Sequence, residues 1–254
     1  MLIDSHVHLD DQRFDVDRDQ VVKRAEQSGV ITMIVPAVTA TTWSKTKKIT
    51  DKYPNVFPAY GLHPYFIDQH EAEHLEQLHN WIETEKAIAV GECGLDYFLP
   101  ELDQTKQRLF FERQLTIAKK FDLPIIIHAR SAVEDVINLL KKSGHNKGMI
   151  HSYNGSLQQA KKLIDLGYLL SFGGAVTYPR AKKLRALIGQ LPLDSLLLET
   201  DAPDQAGANF NQQRNEPSFI IEILDTFTEL RSENRKVIAE QTTQNCQKLF
   251  NLTL

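Results

Sequence analysis

Short apolar, β-branched runs alternate with longer amphipathic stretches from one end of the chain to the other. The runs Leu2–Ser5, Thr32–Pro36, Val56–Gly61, Ile88–Gly91, Pro124–Ile127, Met149–Ile150, Tyr168–Phe172 and Ser195–Leu198 predict strands. Between them, Asp17–Ser28, Thr41–Lys52, Ala72–Glu85, Gln104–Phe121, Ala132–Lys142, Ser156–Leu166 and Arg180–Gly189 carry helical periodicity, and Pro217–Phe250 predicts a helical tail in two pieces. Strands alternating with helices imply a parallel sheet, and eight is the number that closes a (β/α)₈ TIM barrel of the α/β class. No linker, low-complexity segment or repeat interrupts the series, so residues 1–254 are expected to form a single domain.

Ligand-type residues fall where these strands end. The first strand runs into His6 and His8, the third into His63 and the fourth into Glu92; the fifth ends at His128, the sixth at His151 and the eighth at Asp201. A barrel gathers its strand C-termini on one rim, so positions scattered along the chain would converge there. His6 and His8, two apart on an extended segment, point to the same side and can grip one cation. Imidazole with carboxylate suits zinc, manganese or iron, and carboxylate with water suits magnesium, so the donor set leaves the metal open. Glu92, in the middle of the set, is placed to bridge. His6, His8, Glu92 and Asp201 are assigned to one ion, and Glu92, His128 and His151 to a second. Two ions about 3.5–4 Å apart can activate a shared water and neutralise a leaving oxygen. His63 is left over and is assigned to a substrate phosphate, so Glu92, Asp201 and His63 are the catalytic candidates. Asp4 and Glu199 share the parity of His6 and Asp201, which suggests that they orient ligands or take part in proton transfer.

Composition narrows the picture. At 42% hydrophobic and 24% charged the chain has an ordinary globular balance, and a net charge of −4 does not mark a general nucleic-acid or anionic-membrane binder. A polyanionic substrate would need a local patch or bound cations. Cys93 and Cys246 form no Cys-x-x-Cys pair, which argues against a disulfide framework or a sulfur-ligated zinc; Cys93 is expected in the core. Asp4 and His6 sit where a signal peptide needs its apolar segment, and no apolar run approaches membrane-spanning length, so a cytoplasmic protein without a membrane partner is expected. Around the rim, Arg130, Tyr153, Arg180 and Arg214 are expected to contact substrate, since aromatic rings stack on bases and arginines fork onto phosphates. His70, His74 and His79 lie in an acidic helical stretch and are read as a solvated face.

The segments IDSHVHLD, GLHP, GECGLDY, IIIHAR, IHSYNGS and LLLETDAP resemble, in order, the signature of the TatD family of metal-dependent deoxyribonucleases. LPLDSLLLETDAPD and GGAVTYPRAKKLR resemble its YjjV-like branch, and the RNEP at Arg214–Pro217 resembles the wider family. The resemblance implies an amidohydrolase-type barrel with His6, His8, Glu92, His128, His151 and Asp201 as ligands of two divalent ions, magnesium, manganese or zinc. It places His63 near the scissile phosphate. It implies hydrolysis of DNA phosphodiesters, including removal of nucleotides from 3′ ends of single strands, with no obligate protein partner. Related barrels act on cyclic amides, lactones or small phosphoesters, and many bridge their metals with a modified lysine on strand four; Glu92 at that place favours the nuclease-like branch. A metal-stabilised binding protein without turnover is the remaining alternative, and hydrolysis of any phosphodiester would exclude it.

Overall fold

The computed structural model describes residues 1–253. Strands β1 (Leu2–Asp4), β2 (Val30–Ala37), β3 (Val56–Tyr60), β4 (Ala89–Asp96), β5 (Ile125–Arg130), β6 (Gly148–Ile150), β7 (Tyr168–Phe172) and β8 (Leu196–Leu198) pair in sequence order as one parallel sheet. Helices α1 (Arg18–Gln27), α2 (Trp43–Lys52), α3 (Ala72–Thr84), α4 (Gln104–Lys120), α5 (Val133–Ser143), α6 (Leu157–Asp165) and α7 (Lys182–Gln190) fill the seven intervals, and α8 (Ile220–Leu230) and α9 (Arg235–Phe250) follow β8. This is the expected (β/α)₈ barrel. Its seam is drawn together where the Ser5 amide donates to the Leu198 carbonyl (3.1 Å) and the Asp201 amide to the His6 carbonyl (2.9 Å). Asp4 reinforces that seam, its carboxylate accepting from the Thr200 amide at 2.9 Å and the Thr200 hydroxyl at 2.5 Å.

Two apolar layers follow from strand alternation. One face of each strand packs outward against the helices; the other fills the barrel with Ile3, Ile34, Ala59, Ala89, Ile126, Met149 and Leu197. Cys246, Leu249 and Phe250 of α9 join this inner layer, so the terminal helix packs against the barrel interior at the end opposite the rim. Two residues beyond Ile126, Met149 and Leu197 come His128, His151 and Glu199, on the same face and one layer higher. The strand period thus converts an apolar floor into a polar rim.

Strand β4 departs from expectation. Read from the sequence it stops at Gly91, but it continues to Asp96, pairing Cys93, Gly94, Leu95 and Asp96 with Ile127, His128, Ala129 and Arg130 of β5. The run GECGLD breaks the apolar pattern, yet it is buried throughout because close strand contact, rather than side-chain bulk, fills the space. Its register shifts between Val90 and Cys93. Strict alternation from inward-facing Ala89 would turn Glu92 out toward the helices. The extra residue reverses the parity, sending Cys93 and Leu95 outward and Glu92 inward.

Gly94 makes the close approach possible. It has φ +135°, and a Cβ there would lie 2.1 Å from the His128 carbonyl oxygen. Gly29 shares a positive φ, +86°, but a Cβ there meets nothing within 4 Å. Gly94→Ala is expected to lower the unfolding free energy by about 1–3 kcal/mol, and by clearly more than Gly29→Ala. Equal denaturant midpoints for the two variants would show that the β4–β5 contact does not depend on a missing side chain.

Candidate metal centre

Glu92 lies at the centre of the rim, 1% exposed, and its two carboxylate oxygens face different partners. Oε2 lies 3.1 Å from His6 Nε2 and 3.6 Å from His8 Nε2. Oε1 lies 3.2 Å from His128 Nδ1, 3.0 Å from His151 Nε2 and 2.8 Å from His63 Nε2. Asp201 Oδ1 completes the first group, 3.4 Å from both His6 Nε2 and His8 Nε2. The structure therefore brings together His6, His8, Glu92, His128, His151 and Asp201, with His6 and His8 nearer one Glu92 oxygen and His128, His151 and His63 nearer the other.

The chemistry of this donor set fits cations. Ring nitrogens approach one another within each group, His6 Nε2 to His8 Nε2 at 3.3 Å and His128 Nδ1 to His151 Nε2 at 3.1 Å. Two imidazole lone pairs aimed together repel unless a proton or a cation lies between them. Glu92 Oε2 is fully buried without a hydrogen-bond partner, a costly state for an anionic oxygen. His6 with His8 and Glu92, His63 with Glu92 and His128, and His6 with His151 and Glu199 each place donor atoms within 4.8 Å of one another, close enough to hold an ion.

Charges in the centre are mutually dependent. Burial opposes ionisation of Glu92 and Asp201, but the surrounding histidines outweigh it and hold both carboxyls below the ordinary range. Burial likewise opposes a charged His8, but Asp201 and Glu92 prevail and push its pKa up to about 9. His128 and His151 are also raised by their carboxylate neighbours against the effect of burial. The carboxylates thus favour the positive charge on these rings that their own burial requires. A protonated ring cannot ligate, so a metal must displace those protons to bind.

His63 differs. Its Nδ1 accepts from the Tyr65 amide at 3.0 Å, which puts the proton on Nε2, the atom facing Glu92. Burial pushes its pKa down to about 4. It is a neutral N–H donor, and a ring nitrogen carrying a proton is no ligand in that tautomer.

Three residues essential to this geometry escaped the sequence reading. Asp96 Oδ2 accepts from His128 Nε2 at 2.9 Å, fixing the tautomer that presents Nδ1 to the centre. Its parity with Glu92 would have revealed it had β4 been extended through its glycines. His70, read as part of a solvated face, is buried and donates from Nε2 to the His63 carbonyl at 2.9 Å, supporting the GLHP turn. Gln205 donates to Asp201 Oδ2 and accepts from Ser152 at 2.9 Å, tying the eighth rim loop to the sixth.

The remaining candidates divide. Glu199 sits behind His151, its Oε1 3.5 Å from Nδ1, and accepts from the Ser152 amide and the Ser171 hydroxyl. Asp4 accepts from the His6 amide at 3.3 Å and from Thr200, so it reaches the site through the backbone of a candidate ligand and through the seam. Arg130 and Tyr153 line a cavity of about 720 Å³ that opens over His128, His151 and Asp201. The Tyr153 hydroxyl already donates to the Ser156 carbonyl at 2.7 Å, and the side chain is buried. Arg180 is exposed over Tyr178 and does not reach the cavity lining. Arg214, expected at substrate, instead packs on Phe14 and donates to both oxygens of Asp17 at 2.7 Å, because the loop after Asp201 folds back on the loop after β1.

A model of the family described as TatD related DNase matches residues 3–251. The uncharacterized metal-dependent hydrolase YjjV of Escherichia coli K12 is 39% identical over 253 residues, covering 98% of each chain. YabD of Bacillus subtilis 168, likewise called an uncharacterized metal-dependent hydrolase, is 34% identical over 254 residues, covering 99% of this chain and all of that one (100%). The crystal structure of the E. coli YjjV protein, a TatD homologue, superposes with a TM-score of 0.96, covering 99% of this chain and 98% of that one.

If Asp96 holds His128, removing its charge should weaken metal binding without unfolding the barrel. Asp96→Asn is expected to lower metal affinity by about 10–100-fold, measured by titrating chelator-stripped protein with manganese in a calorimeter. Unchanged affinity would show that His128 needs no such support.

Proposed function

This chain belongs to the TatD related DNase family and is a metal-dependent hydrolase; within that class we propose a deoxyribonuclease that removes nucleotides from the 3′ end of single-stranded DNA with two divalent ions. The observation that carries the reading is the Glu92 carboxylate, with one oxygen turned to His6 and His8 beside Asp201 and the other to His128 and His151. A single carboxylate flanked by two sets of donors is what a bridged pair of ions requires. When bound, magnesium, manganese or zinc ions supply an acidified water and positive charge for the leaving oxygen.

The roles of the protein groups follow from their placement. His63, neutral and carrying its proton on Nε2, would donate to a non-bridging phosphate oxygen as negative charge builds there, once Glu92 is engaged by metal and no longer accepts that proton. Asp201 is positioned to take up the proton of the attacking water, its Oδ2 steadied by Gln205. Glu199 has both oxygens engaged by Ser152 and Ser171, which suits holding His151 rather than relaying a proton. Arg130 provides positive charge at the cavity wall. A bounded cavity rather than a long basic groove suits a chain end, and a net charge of −4 suits weak non-specific hold on duplex.

The test uses 5′-labelled and 3′-labelled oligonucleotides, single- and double-stranded, with magnesium or manganese. Progressive shortening from the 3′ end is expected, abolished by chelator and by His128→Ala. His63→Ala should keep its metal and lose at least tenfold in turnover, an effect of about 1.4 kcal/mol or more on the barrier. Turnover of a cyclic amide, lactone or small phosphoester, with every oligonucleotide left intact, would contradict the proposal.

A further inference from the structure

Phe98 is unusual among the large apolar side chains of this molecule. It is 57% exposed, yet it lines the same cavity as His128 and Asp201. Scattered exposed apolar residues need no explanation, but this one opens on the cavity that lies over the candidate metal centre. The Arg130 guanidinium lies on the Phe98 ring, its central carbon 3.7 Å from the centroid. Arg130 remains 48% exposed, with Nη1 4.0 Å from Asp96 Oδ2. A planar aromatic and a planar cation are thus stacked at the cavity wall with surface left open on both.

Their position relative to the metal centre is fixed by one carboxylate. Asp96 Oδ1 accepts from the Phe98 amide at 3.0 Å, and Asp96 Oδ2 accepts from His128 Nε2 at 2.9 Å. The Tyr97 amide, donating to the Arg130 carbonyl at 2.9 Å, carries the β4–β5 pairing up to the platform. The backbone that carries the ring is therefore tied to the carboxylate that also holds the candidate ligand His128.

We propose that Phe98, with Arg130 stacked on it, is the subsite that receives a nucleobase beside the scissile phosphate. The inference rests on the nucleotide substrate proposed above and adds the group that recognises it. Every base presents a π face, so such a platform grips bases with little regard to sequence. The guanidinium contributes cation–π attraction and can donate to the neighbouring phosphate. Because Asp96 is reached through the Phe98 backbone amide, changing the side chain leaves the support of His128 in place.

Binding is measured apart from cleavage. The deoxynucleoside 5′-monophosphate of 2-aminopurine, whose fluorescence falls on stacking, is titrated into manganese-loaded wild type, Phe98→Ala, Phe98→Leu and Phe98→Trp, with deoxyribose 5-phosphate as the baseless competitor. Wild type and Phe98→Trp should bind the nucleotide with quenching, and Phe98→Ala and Phe98→Leu should bind it about tenfold more weakly with the quench lost. All four should retain the same manganese content and the same affinity for deoxyribose 5-phosphate. Phe98→Leu keeps apolar bulk without a π face, so it separates stacking from simple packing. Equal affinity and quenching in wild type and Phe98→Ala would overturn the platform, as would a wild type that binds the baseless sugar phosphate as tightly as the nucleotide or fails to bind the nucleotide. Oligonucleotide cleavage unaffected by Phe98→Ala would overturn the platform alone. Nucleotide binding that depends on Phe98, without any cleavage, would overturn the nuclease reading alone.

Discussion

A buried carboxylate must be neutralised, and in this barrel that requirement organises the rim. Glu92 is enclosed at the centre of the ring, where its effective desolvation penalty is several kcal/mol. It faces inward only because β4 carries an extra residue between Val90 and Cys93. The slip depends on Gly91 and Gly94, which let the strand press against β5 where any Cβ would collide with Ile126 or His128 backbone. Five histidines and Asp201 surround Glu92, and each is placed by a neighbouring strand end. The site is thus a consequence of the sheet, with a local irregularity in one strand deciding which way its key side chain points.

Support is arranged in the same manner around the ring. Asp96 holds His128, Glu199 lies behind His151, Gln205 holds Asp201 and the His70 ring supports the turn that carries His63. Asp96 sharpens the tautomer of His128, while the neutral amide of Gln205 fixes Asp201 without adding charge. The rim loops after β1 and β8 are joined by Arg214 to Asp17 and by Arg13 to Asp204. Those pairs are partly exposed, and isolated pairs of this kind add little stability; their joint effect is to keep the loop bearing Asp201 beside the segment bearing His8.

Much of this was legible in the chain because two simple periods carry it. Apolar runs of strand length alternate with helical stretches, and histidines or acids stand at the ends of the runs, so the barrel and the convergence of His6, His8, Glu92, His128, His151 and Asp201 follow from order alone. What escaped was set by tertiary contact. Asp96 was hidden because glycines interrupt the apolar pattern of β4. His70 was hidden because an acidic surrounding sequence gives no sign that one ring turns inward. Arg214 was misplaced because loop position does not reveal which carboxylate claims a guanidinium.

The central claim is that one carboxylate serves two cations. Crystals grown with manganese and measured by anomalous diffraction test it most directly. Two peaks about 4 Å apart or less, one against His6, His8 and Asp201 and one against His128 and His151, both touching Glu92 and both absent from Glu92→Ala, are the predicted result. Two fully occupied peaks in Glu92→Ala, or a wild type with a single ion that Glu92 does not touch, would contradict it.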